Sequence, residues 1–146
     1  RVAKLLARAQ HAQARGHGLT PPGESAWDRL REARALAPND PRVQHALQEM
    51  QLAAHTCHTT AMRDNNLGRA RECLDAWRQL APNEPALLSA QRRLAERWLA
   101  VGDERLRAGD VRGARTALER AQQVDADVPG SEALTHRLQR IGSALK

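Results

Sequence analysis

Residues Ala37-Pro38-Asn39-Asp40-Pro41 return as Ala81-Pro82-Asn83-Glu84-Pro85, and Pro41, Pro85 and Pro129 stand 44 residues apart. Ala126-Asp127-Val128-Pro129 is a third, looser copy. Proline has no backbone donor, so it fits the first turn of a helix, where that donor would lack a partner anyway. Each copy therefore reads as the end of one helix and the start of another. A fixed period of this size marks stacked helical units that bury their apolar faces against neighbours, as opposed to a single enzyme core.

The residues between the turns keep the register. Ala26, Ala70 and Ala114 superimpose, followed by Leu30, Leu74 and Leu118, then Ala33, Trp77 and Ala121, then Leu36, Leu80 and Val124. Steps of four, three and three residues trace one face of a helix. A longer stripe runs through Val43, Leu47, Met50, Ala54, Cys57 and Ala61 and continues one period on with Leu87, Leu94, Trp98 and Val101, interrupted by Gln91. This spacing predicts long helices near 42–64 and 86–108, each followed by a shorter helix of about four turns. Between them, Gly109 is placed to take the left-handed conformation that closes a helix and Asp110 to cap the next, with Asn65 and Asn66 in the same two roles. The first unit has a longer loop, from Gly16 to Glu24, before a helix at about 25–37. Ser131 is expected to cap a final helix with Leu134, Leu138 and Ile141 on one face. The units run about 1–41, 42–85 and 86–129, with a terminal helix about 131–144, in one domain. Because residue 1 is Arg1 and not Met, we expect a segment of a longer protein.

Composition narrows the class. No apolar run approaches the roughly 18 residues of a membrane span. The net charge of +6 invites a nucleic-acid reading, yet it has no single focus. Residues 1–44 carry 8 basic and 4 acidic groups, 45–88 carry 4 and 5, and 89–146 carry 11 and 8. Lys4 and Lys146 are the only lysines among 23 basic residues. That bias toward Arg, with abundant Ala, points to a GC-rich bacterial coding sequence. Phe and Tyr are absent, leaving Trp27, Trp77 and Trp98. Single-strand binders use exposed aromatic platforms, whereas these three fall on apolar helix stripes and are expected to be buried.

The pattern resembles the tetratricopeptide repeat. The third unit carries the resemblance best, with Trp98, Val101 and Gly102, then Gly109-Asp110 at the turn, then Ala114, Leu118 and Ala121. The second offers Ala54, Cys57, Ala70, Leu74 and Pro82; the first offers Ala14, Ala26, Leu30, Ala33 and Pro38, with Gln10 and Gln13 at its other two first-helix positions. The departures are a period of 44 where the family has 34, Trp77 where the family has Ala, which should splay that hairpin, and Ala126 where Pro is usual. The resemblance implies an all-α, right-handed stack of three antiparallel hairpins, an α-solenoid, plus a C-terminal helix. It also implies a concave face lined by the first helices and used to hold peptides. Carried over position by position, that face comprises His55, Thr59, Met62 and Arg63 in the second unit and Leu99, Asp103, Leu106 and Arg107 in the third, with His11 and Arg15 from the first. Arg63 and Arg107 are one period apart and suited to grip a carboxylate or phosphate. The Lys/Asn set that clamps a partner's C-terminal carboxylate in many family members is missing.

Chemistry-bearing clusters are few. His55-Thr56-Cys57-His58 is the one metal-like run, but Cys57 falls on the core stripe and no second ligand pair exists. It reads as a core Cys beside exposed His residues, with no metal. Cys57 and Cys73 lie eight residues either side of Asn65, which sets them level on facing helices. They are either a disulfide, which needs Cα atoms roughly 4.4–6.8 Å apart, or two buried thiols. A disulfide would indicate an oxidising compartment such as a periplasm; otherwise the cytoplasm is expected. No phosphate loop, nucleophile elbow or zinc-protease signature occurs, so neither an enzyme nor a cofactor is expected. The expected function is a protein–protein interaction module of a larger bacterial protein. The alternatives are a basic helical module that binds nucleic acid through phosphates, and a structural spacer or dimerisation domain.

Overall fold

Four of the helix starts are set by short polar side chains placed just ahead of apolar stripes. The computed structural model describes residues 1–16, 18 and 25–144 and contains α1 (Val2–Ala14), α2 (Ala26–Leu36), α3 (Pro41–Arg63), α4 (Leu67–Leu80), α5 (Ala86–Arg107), α6 (Val111–Val124) and α7 (Ser131–Ala144). It is all-helical, with no strand among the described residues. Ser25 caps α2 through a reciprocal pair, its hydroxyl accepting from the Asp28 N–H while its own N–H donates to the Asp28 carboxylate. Asp40 caps α3, with Pro41 in the first turn. Asn66 Oδ1 accepts from the Arg69 N–H and Asp110 Oδ1 from the Gly113 N–H. The residues just before these last two caps, Asn65 and Gly109, have φ of +55° and +83°, so both turns form as expected. The stretch expected as a long loop, His17 and Thr20 to Glu24 within it, lies outside the described residues apart from Gly16 and Gly18.

Packing follows the stripes. α1 lies along α2, α3 along α4 and α5 along α6; α2 then meets α3, α4 meets α5, α6 meets α7, and α7 also touches α5. One continuous core runs through all seven helices, with Leu30, Val43, Leu74, Leu94 and Val128 fully enclosed. Fully burying such a side chain contributes about 1.5–3 kcal/mol. Ala26, Ala70 and Ala114 have no exposure at all; without bulk beyond Cβ they let each shorter helix approach its longer neighbour. Gln91 interrupts its stripe for a visible reason: its Nε2 donates to the carbonyl of Val124, one of the last of α6, which has no partner inside its own helix.

Three expectations need correction here. α1 is one residue out of the 44-residue register. Its buried positions, Leu5, Ala9 and Ala12, match Met50, Ala54 and Cys57 at a spacing of 45, so Gln10, Gln13 and Ala14 are not its core positions. Ser131 is the first residue of α7, not its cap: the Gly130 carbonyl accepts the first helical bond, from the Leu134 N–H. Trp98 is half-buried, whereas Trp27 and Trp77 are buried as expected. Among the described residues no helix is long and apolar enough to cross a membrane.

Candidate functional site

The most chemically distinctive part of the molecule is built around Trp77. Cys57 and Cys73 are bonded to each other, with Cα atoms 5.7 Å apart, so α3 and α4 approach closely one turn before Trp77. The expected splaying of this pair is not seen. The indole is directed sideways instead and stacks on the His55 ring, centroids 4.4 Å apart and planes 22° from parallel. The His58 ring lies tilted against it at 6.3 Å. His58 is buried, not exposed as the sequence suggested, and its Nδ1 is 3.0 Å from the Ala70 carbonyl oxygen. A carbonyl can only accept, so Nδ1 carries the proton. With Cys57 in the disulfide and His58 facing a backbone carbonyl, this run has no thiolate and one committed imidazole. Among the described residues no group of three metal-ligating side chains exists.

Trp77 forms the floor of a cleft of about 440 Å³. One wall is α3, through His55, His58, Thr59 and Met62; the other is α5, through Ala86, Ala90, Arg93 and Arg97. Arg97 reaches across, donating to Asn65 Oδ1 at 3.1 Å and to the Met62 carbonyl at 3.4 Å. Glu96 stands on the α5 side of the same cleft. Arg93 has neither a hydrogen bond nor an ion pair among the described residues.

The positions 44 residues further on show a closed seam where this one is open. α5 presents Gly102 where α3 has His58, Leu99 where α3 has His55, and Asp103 where α3 has Thr59; α6 has Ala121 where α4 has Trp77. A Cβ built on Gly102 would lie 2.8 Å from Leu134 Cδ2, so the glycine leaves the notch in which α7 seats its leucine. Arg137 Nη1 then donates to Asp103 Oδ1 at 2.7 Å. On the α3–α5 side the notch is filled by imidazole and indole, Leu134 is matched by Ala90, and Arg137 is matched by Arg93 without an acid at the partner position. A narrower gap of about 370 Å³ separates α1 from α3, lined by Gln10 and Gln13 on one side and Glu49 and Ala53 on the other.

These facts sort the expected site residues. His55, Thr59 and Met62 line the cleft. Arg63 is exposed on the same helix and lies 3.8 Å from Asp64, while Arg107 is exposed with no ion pair among the described residues; neither lines the cleft. Leu99 is 7% exposed and Leu106 packs against the core; neither lines the cleft. Asp103 is taken by Arg137. His11 and Arg15 line a shallow depression with Arg8 and Arg29 against α2 and not the first-helix gap, because of the one-residue offset of α1. Trp77, Ala90 and Arg93 also line the cleft, which the sequence reading did not anticipate. The signal was present: aligning the last helix on the first half of α5 pairs Leu134 with Ala90 and Arg137 with Arg93.

No family model, curated protein or solved structure matches this chain.

Proposed function

We propose that the chain is a tetratricopeptide-like stack of helical hairpins and acts as a protein–protein docking module within a larger bacterial protein, taking a peptide or helix into the cleft between α3 and α5. One observation supports this above the rest: a cleft of about 440 Å³ with an indole floor and a few polar groups at its walls. That volume lies within the range of clefts that hold ligand groups. The reading assigns the module no catalysis and no cofactor. The Cys57–Cys73 bond supports an oxidising compartment. Selection of random displayed peptides tests the reading. Peptides enriched on the wild-type protein should lose at least tenfold in affinity on Ala86→Trp, which adds bulk at an exposed position of the cleft wall, while its circular dichroism is unchanged. Selected peptides that bind Ala86→Trp equally well would place docking elsewhere.

A second reading, phosphate contacts to nucleic acid, is favoured by the clustering of Arg8, His11, Arg15 and Arg29 around one depression. It predicts affinity that falls steeply with added salt. Absence of any binding to DNA or RNA at low salt would remove it.

A further inference from the structure

We infer that the α3–α5 cleft is selective for an acidic peptide, one that places an aliphatic side chain over Ala90 and Trp77 and a carboxylate on Arg93. This rests on the docking reading above and adds the chemistry of the occupant.

The argument starts from the closed seam. α7 covers α5 with two side chains three residues apart: Leu134 enters the notch at Gly102, and Arg137 pairs with Asp103. An aliphatic group and an ion pair, one helical turn apart, are what this surface uses to hold a neighbour. The open seam holds half of each. Ala90 leaves apolar room beside Met62 and Trp77, and Arg93 brings a cation that lacks its carboxylate. Ala90 and Arg93 are three residues apart on one helix face, so their Cβ atoms are about 5–6 Å apart. A ligand meets both when its aliphatic and acidic residues lie within one helical turn of each other. Arg97 adds a second positive charge to the same wall, against the single negative charge of Glu96. Arginine presents a planar fork that matches a carboxylate at two points, and charge complementarity of this kind decides which partner is accepted.

The test uses two pools of short peptides, amidated at the C-terminus and labelled with a neutral dye, fixed as Leu-x-x-Glu in one and Leu-x-x-Lys in the other. Fluorescence polarisation at moderate salt should show the Glu pool binding about tenfold more tightly to the wild-type protein. Arg93→Gln should erase that preference and Arg93→Glu should invert it. Arg93 has no partner among the described residues, so these variants are expected to melt with the parent. Glu49→Lys, at the matching position of the α1–α3 gap, should leave the preference intact. Equal binding of both pools, abolished by Ala86→Trp, overturns the acidic selectivity and keeps the cleft as the docking site. A preference that survives Arg93→Glu overturns the role of Arg93. Failure of both pools to bind overturns the docking reading along with it.

Discussion

His58 and Gly102 occupy matching places on α3 and α5 and have opposite consequences. The imidazole fills the space in which a neighbouring helix would seat a leucine, and it leans on Trp77 to do so. Trp77→Ala should remove the cleft's floor and cost about 3–5 kcal/mol of stability, read as a lower urea midpoint. Leu74→Ala, on the same helix but away from the cleft, should destabilise by about 2–5 kcal/mol without changing peptide selectivity. At the start of α3, the Arg42 side chain bonded to Asp40, with the Arg42 N–H second, holds the Asp40 carboxyl below its ordinary value of 3.8. A folded-state pKa below the unfolded one gives stability that is complete above the unfolded pKa and is lost as pH falls through the folded one. The contribution of Asp40 therefore begins to fall as pH drops below about 4. Asp40→Asn should flatten the stability–pH curve in that acid range and leave its slope near neutrality unchanged.

Between elements, small side chains decide which helices touch. Gly102→His would place on α5 the group that holds the α3–α5 seam open, against a Leu134 that is only 2% exposed. Forcing extra bulk into a packed site costs about 1–3 kcal/mol. Hydrogen exchange should accelerate across α7 and stay unchanged in α3 and α4. The α3–α4 pair has its own brace. The Cys57–Cys73 bond closes a loop of 16 residues, and a loop of that length contributes about 3 kcal/mol. The double variant Cys57→Ser, Cys73→Ser should lose about that much in equilibrium unfolding. The helix ends were legible in the chain because each depends on neighbours in sequence: Asn65 with Asn66, and Gly109 with Asp110, are turn and cap within two residues. The register of α1 was not. It depends on a core formed with α2 and α3, and Ala9, Ala12 and Ala14 are chemically alike.

At the scale of the molecule, the 44-residue spacing was readable because positions such as Ala26, Ala70 and Ala114 are all fully buried. The cleft was not, because it arises from coordinated differences on three helices: His58 for Gly102, Trp77 for Ala121 and Ala90 for Leu134. Each swap alone reads as a minor departure from the pattern, and the meaning appears only when all three meet at one seam. The pairing of Asp103 with Arg137 was illegible for the same reason: it depends on α7 packing against α5. The three tryptophans make the central claim directly measurable, since each indole N–H gives its own signal in a proton–nitrogen correlation spectrum. Titration with the Leu-x-x-Glu pool should move the Trp77 signal and leave that of Trp27, on α2, in place. Binding that shifts Trp27 while Trp77 stays still would contradict the account.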